Sequence, residues 1–346
     1  MSKGNMQPRS IESLRSGIVA AIGNTPLVKL DRLFPDNHFQ LYAKLEMLNP
    51  GGSGKDRVAA STVLEAYESG EIGPDTTIIE SSSGNLGIGL AQICTYLGLR
   101  FICVVDTRTT PTNLAILQAY GVDIELVETP DATTGDLLTA RVNRVKQLCR
   151  EIPGSVWINQ YANENNPKAH YRAMGEIVAG LNGQVDYIFA ATSTCGTLRG
   201  ISEYVRDHKL TTRVIAVDAV GSVIFGDTPK PRLIPGHGTS RLPELYRPGL
   251  EHGHANISDQ ECVLGCFRLL RREAIFAGGS AGAIVMAVSK LRHEIPAGAN
   301  CVAILCDRGT RYLDTIYSPA WVKQHFGEIE ELCEAGNQPA LMVNYA

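Results

Sequence analysis

Lys55 stands out by its setting. It follows the run Asn49-Pro50-Gly51-Gly52-Ser53-Gly54 and precedes Asp56-Arg57. Glycines permit a tight turn, and a helix opening at Lys55 would hold the amine at its mouth. An amine partly withdrawn from water has a lowered pKa and becomes a nucleophile able to form a Schiff base. A surface lysine beside a helix-capping aspartate reads equally well from this spacing. A P-loop does not, because it requires Ser or Thr after the lysine and Asp56 stands there.

Three further segments combine glycine with hydroxyl side chains. Glu80-Ser81-Ser82-Ser83-Gly84-Asn85-Leu86-Gly87 ends an apolar run and opens a helix-like one. Free backbone N–H groups and hydroxyls at such a turn suit a carboxylate, although Ser and Asn also cap helices without any ligand. Ser193-Thr194-Cys195-Gly196-Thr197 has the composition of a phosphate cup at a helix N-terminus. It lacks the G-x-G-x-x-G of a dinucleotide loop. Gly278-Gly279-Ser280-Ala281-Gly282 precedes another helix, where a neutral serine faces a ring nitrogen or simply caps the helix.

The elements between these segments alternate. Apolar, β-branched runs stand at 28–30, 41–45, 77–80, 101–105, 123–127, 156–158, 187–190, 214–219 and 301–305. They lack strict polar alternation, as strands buried on both faces do. Helical periodicity covers 85–98, 133–151, 196–207, 258–272 and 281–292. This alternation predicts an α/β fold with mainly parallel sheets. Ligands of open α/β sheets bind at the carboxyl ends of strands, so the four glycine-rich turns point to one site. Residues 227–257, rich in Pro, Gly and His, read as a long functional loop. Within it His252 and His254 form a lone H-x-H that reads as solvated surface. The tail beyond Tyr317 carries the acidic run EIEELCEAG and reads as a terminal or frayed helix.

Composition narrows the function. The chain has 346 residues, 44% of them hydrophobic and 20% charged, which suits a globular protein of one large or two medium domains. A net charge of −4 argues against a nucleic-acid binder working through a basic face. No apolar run reaches the ~18 residues of a membrane span; the most apolar stretch, 86–105, is broken by Gln92, Thr95 and Arg100. The polar start MSKGNMQPRSIES has no signal-peptide core. A cytoplasmic protein with no membrane and no nucleic-acid partner is expected. The nine cysteines show no zinc spacing and read as reduced, mostly buried thiols.

The segments GNTPLVKL (23–30), KLEMLNPGGSGKDR (44–57), SSSGNLGIGLA (81–91), STCGTLRG (193–200), GGSAG (278–282) and CDRGTRYLD (306–314) together resemble the cysteine synthase/cystathionine β-synthase family. These are pyridoxal 5'-phosphate (PLP) enzymes of fold type II, related to the tryptophan synthase β subunit. The likeness runs from about Ile18 to Tyr317. It implies an α/β fold of two open, twisted, mainly parallel sheets with helices on both faces. It implies a smaller, mobile substrate-binding domain over 48–157, a larger PLP-binding domain over 15–47 plus 158–320, a tail over 321–346, and a homodimer. By the same resemblance Lys55 is the Schiff-base lysine. Asn85 meets the cofactor's 3′-oxygen, Ser193, Thr194, Cys195, Gly196 and Thr197 hold the phosphate, and Ser280 faces the pyridine nitrogen. Ser82, Ser83, Gly84, Asn85 and Gln160 match the substrate positions. The implied chemistry is ping-pong β-replacement through an α-aminoacrylate, with Lys55 moving the α-proton.

Departures from ordinary cysteine synthases point within the family. Where those read T-S-G-N-T and G-T-G-G-T, this chain has Ser82-Ser83-Gly84-Asn85-Leu86 and Ser193-Thr194-Cys195-Gly196-Thr197. With the segments at 218–222 and 234–241, these departures are most similar to the N-(2-amino-2-carboxyethyl)-L-glutamate synthase subgroup of 2,3-diaminopropionate biosynthesis. That subgroup takes O-phospho-L-serine and L-glutamate, and a separate NAD-dependent enzyme releases diaminopropionate for siderophores or peptide natural products. Two anionic substrates demand cations, and Arg141, Arg172 and Arg241 are the candidates. Arg141 lies in TARVNRVKQLCR, which also reads as a helix with an exposed basic face. Tyr161 is placed to bond substrate or merely to pack, and the Ser193 hydroxyl to reach substrate as well as phosphate. A B-type cysteine synthase using sulfide or thiosulfate is the alternative within the chemistry. A non-catalytic metabolite-binding member is the alternative outside it. Neither a haem segment nor a regulatory domain of a cystathionine synthase is visible.

Overall fold

The computed structural model describes residues 14–329. Two sheets organise them. The first has the order β1 (Leu27–Lys29), β2 (Gln40–Leu45), β10 (Asn300–Leu305), β7 (Tyr187–Ala191), β8 (Arg213–Ala219) and β9 (Gly253–Ile257). Every pairing in it is parallel except β1 with β2. The second, all parallel, has the order β5 (Asp123–Val127), β4 (Arg100–Asp106), β3 (Thr77–Glu80) and β6 (Ser155–Trp157). All of β3 and six of the seven residues of β4 are buried. Their continuous Ile/Val/Phe runs therefore serve both faces of the sheet.

Helices cover both faces of each sheet. On the first sheet, α5 (Asn165–Gly180) and α6 (Gly196–Asp207) share one core with Ile188, Val214 and Val302, while α7 (Asp259–Glu273) and α8 (Gly279–Leu291) share the other with Phe189, Ile215 and Cys301. On the second, α1 (Lys55–Glu68) and α2 (Asn85–Leu97) pack one face with Ile78 and Phe101; Val145 and Leu148 of α4 (Leu137–Glu151) pack the other with Ile79 and Val104. The short helices α3 (Pro111–Ala119) and α9 (Pro319–Phe326) each start with proline after a capping residue, Thr110 and Ser318. Helix α7 opens on a reciprocal capping box between Ser258 and Glu261.

The expectations need correction in two places. The last five residues of the proposed 227–257 loop form β9, a parallel edge strand. Its sequence, GHANI, is too polar and glycine-bearing to read as a strand. The H-x-H is exposed surface as read, although the ring of His254 stacks on Phe225 and His252 Nδ1 accepts the Val214 N–H at 3.1 Å. Helix α5 also went unread, because Asn-Glu-Asn-Asn-Pro resembles a turn; the proline stands in its first turn, where no N–H is needed. The eight described cysteines are all free, six of them buried. Helix α9 opens the tail, and the remainder from residue 330 lies outside the described residues. Among the described residues no helix is long and apolar enough to cross a membrane.

Candidate active site

The carboxyl ends of β2, β3, β6, β7 and β10 converge on one cavity of about 310 Å³, within the size range of small-molecule sites. Lys55, Ser82, Ser83, Gly84, Asn85, Arg141, Gln160, Tyr161, Ser193, Thr194, Cys195, Thr197 and Ser280 all line it. Gly196 stands just behind the wall, where an added Cβ would lie 2.0 Å from Asn166 Oδ1.

Lys55 is the first residue of α1. The turn before it is tied to the end of β10, with Gly54 N–H donating to Cys306 O at 2.9 Å and Ser53 bridged to Asp307. Two residues on, Arg57 is locked into a buried ionic network. Its Nε meets Glu46 Oε2 at 2.6 Å, its Nη1 meets Glu176 Oε1 at 2.6 Å, and Lys44 pairs with Glu176 at 2.6 Å. Two cations face two anions, so no charge is left uncompensated. The network pins α1 to β2 and α5. Lys55 itself has no carboxylate partner among the described residues. Burial lowers its pKa, and the neighbouring thiols Cys306 and Cys195 offset this only in part. Those thiols are themselves pushed up by burial to about 12 and stay neutral. Burial thus makes the amine easier to deprotonate and more nucleophilic than a solvated lysine.

The serine loop is held from three directions. Cys103 Sγ donates to Ser82 O at 3.0 Å, Asn113 Nδ2 donates to Ser83 O at 3.0 Å, and Ser82 Oγ accepts the Gly87 N–H at 3.2 Å. Ser81 Oγ is buried on the cavity with no partner. Asn85, the first residue of α2, donates from Nδ2 to Asp307 Oδ2 at 2.8 Å, and Tyr312 OH reaches the same oxygen at 2.6 Å.

The 193–197 loop ends at the N-terminus of α6, where the N-cap residue Cys195 makes no side-chain cap and only the Gly196 N–H is taken, by Thr194 Oγ1 at 3.4 Å. Cys195 adopts φ 63°, a left-handed conformation uncommon for a residue other than glycine. The helix therefore offers free N–H groups and a partial positive charge to an anion. Thr197 Oγ1 lies 3.2 Å from His170 Nε2. Burial, with the charges of Lys55 and Arg57, holds His170 well below its usual pKa and keeps it neutral. Asn166 Nδ2 donates both to Gln160 O at 2.9 Å and to Thr194 Oγ1 at 3.2 Å, so one amide ties the loop to the Gln160 turn. Ser280 enters the cavity from the first turn of α8, likewise without a side-chain cap.

The three candidate arginines part company. Arg141 is not on an exposed basic face: its side chain is 12% exposed, lines the cavity and pairs with Asp106 at 3.2 Å. Arg172 lies outside, half-exposed and paired with Glu65 at 2.8 Å. Arg241 does not line the cavity. It is exposed and pairs with Asp136, the cap of α4, at 3.0 Å, although Pro235 and Gly236 of its loop do reach the cavity wall. His170, Asn166 and Asp307 are polar groups of the site that motif reading did not assign. Only Asp307 had a signal, its place in CDRGTRYLD.

A buried lysine without a carboxylate partner, a helix N-terminus with free N–H groups among hydroxyls and a neutral serine at a second helix N-terminus fit PLP: an amine for the aldehyde, a cup for the phosphate and a hydroxyl for the ring nitrogen. The comparisons agree. The family model described as "Pyridoxal-phosphate dependent enzyme" matches residues 18–307. A hydrogen sulfide-producing enzyme from Fusobacterium nucleatum is 30% identical with TM-score 0.80, covering 86% of this chain and 99% of its own. An O-acetylserine dependent cystathionine β-synthase from Helicobacter pylori is 32% identical with TM-score 0.80, over 87% of this chain and 98% of its own. An O-ureido-L-serine synthase is 30% identical with TM-score 0.80, over 92% and 98%.

Proposed function

This chain belongs to the family of pyridoxal-phosphate dependent enzymes, as a β-replacement enzyme of its cysteine synthase branch, and on that premise we propose that it joins O-phospho-L-serine to L-glutamate. The products are N-(2-amino-2-carboxyethyl)-L-glutamate and phosphate, the first step towards L-2,3-diaminopropionate. The observation that carries the choice of substrate is Arg141, a guanidinium turned into the cavity rather than out to solvent. A dianionic leaving group and a dicarboxylate nucleophile both need such a cation; sulfide does not.

In this reading Lys55 holds the cofactor covalently, Asn85 its 3′-oxygen, Ser193 to Thr197 its phosphate and Ser280 its ring nitrogen. The bound cofactor supplies the electron sink for charge developing at Cα. The chain supplies placement and proton transfer. Ser82, Ser83, Gly84 and Gln160 grip the substrate carboxylate. The amine of Lys55, freed when the substrate's amine takes its place and made easier to deprotonate by burial, takes the α-proton and returns it after the second substrate has added to Cβ. Arg141, with the Ser193 and Tyr161 hydroxyls of the same cavity, receives the phosphate as it leaves Cβ. Neutral Ser280 does not hold a proton on the ring nitrogen as a carboxylate would, which favours β-elimination over deeper carbanion chemistry.

Residues 48–157 form the smaller domain and close on substrate against 15–47 plus 158–320, shielding the reacting carbons from water. Support for this division comes from the four-stranded sheet, whose strands all lie between Thr77 and Trp157. A homodimer is the expected assembly, and an NAD-dependent enzyme the expected consumer of the product. The test is turnover of O-phospho-L-serine with L-glutamate or with sulfide, the products being identified by mass. The carboxyethyl-glutamate adduct supports the proposal; cysteine formed only with sulfide replaces it with a cysteine synthase.

A further inference from the structure

Glu80 ends β3 and is 1% exposed. It does not line the cavity, yet it is bonded to both segments that would grip a substrate carboxylate. Its Oε1 accepts the Ser81 N–H at 2.6 Å and the Trp157 indole N–H at 3.4 Å, and its Oε2 accepts the Gln160 N–H at 3.2 Å. All three partners are donors. A carboxylate satisfies them, whereas a carboxylic acid turns one O–H into a cluster of N–H groups. From Gln160 the bonding continues through Asn166 to Thr194. One buried carboxylate thus spans the serine loop and the Gln160 turn.

We propose that Glu80 is a positioning residue: as an anion it holds the 81–85 loop and the Gln160 turn at the spacing that grips an amino acid carboxylate, and a proton on it loosens that grip. The proposal rests on Ser82, Ser83 and Gln160 being the carboxylate site. Several titratable groups face Glu80. Arg141, from α4, favours its charge; Arg141 is in turn paired with Asp106 of β4. Cys103 of β4, Cys149 of α4 and Tyr161 beyond β6 are all raised by burial and stay neutral near pH 7. Burial outweighs Arg141 and lifts Glu80 to about 7. The anion therefore prevails above about pH 7, and the grip is lost as pH falls through that value.

The test uses holoenzyme and L-serine, whose amine titrates alike in any variant and whose side chain does not ionise in this range. Affinity is read from the change in cofactor absorbance across the pH range. Wild type should show an extra loss of affinity as pH falls through about 7, levelling off at about tenfold in all. Glu80→Gln sets an amide N–H against one of the donors. It should bind serine about tenfold more weakly at alkaline pH, lose the break near neutrality, and keep kcat at saturating O-phospho-L-serine within about twofold. Equal breaks in both proteins, or an unchanged affinity in Glu80→Gln, would overturn the proposal. Ser83→Ala and Gln160→Ala separate the two failures. If neither weakens serine binding, the carboxylate site itself is misassigned; if both do and Glu80→Gln does not, only the role of Glu80 falls. Should Glu80→Gln not fold, wild type alone decides, since absence of the break contradicts the proposal.

Discussion

Gly196→Ala should damage the cofactor site and the fold together, by an amount the structure sets. Gly196 is the first residue of α6. A Cβ there would stand 2.0 Å from Asn166 Oδ1, 2.4 Å from its Cγ and 2.7 Å from its Nδ2. Asn166 is 0% exposed, and its Nδ2 is committed to Gln160 O and Thr194 Oγ1. Either Asn166 gives way and loses both hydrogen bonds, or α6 withdraws and takes the 193–197 loop with it. Two hydrogen bonds at about 1 kcal/mol each, with a buried amide left unpaired, make about 2–4 kcal/mol. The gain in helix propensity from glycine to alanine is below about 1 kcal/mol and does not offset this. Urea unfolding of the cofactor-free protein reads the stability, and titration with PLP, followed by its absorbance, reads the site. Cofactor affinity should fall at least about tenfold, because either adjustment moves the phosphate cup by a few tenths of an ångström or more. Gly73→Ala, at a position with nothing within 4 Å of the added Cβ, is the matched control. If Gly196→Ala stays within about 0.5 kcal/mol of the control and binds PLP normally, the reasoning is refuted. Asn166 would then be free to move, and the tie it makes would not place the cup.

Lys55→Ala should lower turnover by about 10²-fold or more and abolish the borohydride-stable link to the cofactor, read by intact mass. The cofactor-free variant should be no less stable, since the Lys55 amine has no carboxylate partner to lose. Arg141→Met should raise KM for O-phospho-L-serine about tenfold or more while changing that for O-acetyl-L-serine much less, because only the former leaves as a dianion; initial-rate kinetics with both donors decide it. Arg57 and Lys44 hold the Glu176 carboxyl at about 2 against burial. A depressed acid stabilises the fold above its unfolded pKa, and that contribution is lost as pH falls from the ordinary glutamate range towards about 2. It is on the order of 3 kcal/mol, and Glu176→Gln should flatten the acid side of a plot of melting temperature against pH.

Most of the fold is legible in the sequence because its strands are buried on both faces. A run such as Thr-Ile-Ile-Glu has no alternative but a sheet interior, and β3 occupies those four residues. β9 was not legible: a parallel edge strand of Gly-His-Ala-Asn-Ile is held by its partner β8 and by His254 stacked on Phe225, neither of which leaves a local signal. Helix α5 hid behind an Asn-rich start. In the site, the glycine-rich turns were legible because a sharp strand-to-helix turn demands glycine and small hydroxyl residues wherever it occurs. The surroundings of Arg141 were not, because the basic periodicity of its helix does not reveal that its side chain lines the cavity and pairs with Asp106 at the end of another strand. Arg241 shows the reverse. Its loop reaches the cavity at Pro235 and Gly236, but its own side chain turns away to Asp136. Asn166 and His170 act through contacts with residues far along the chain, so no motif contained them.

The most direct test of the account is a two-step experiment on the purified holoenzyme. O-Phospho-L-serine is added alone, and phosphate release and the cofactor spectrum are followed. L-Glutamate and sulfide are then added to separate samples, and the products are weighed by mass spectrometry. The expected result is one phosphate per site before any second substrate, then recovery of the starting spectrum with glutamate and a product with the mass of N-(2-amino-2-carboxyethyl)-L-glutamate. Recovery with sulfide alone, with cysteine as the product, would contradict it.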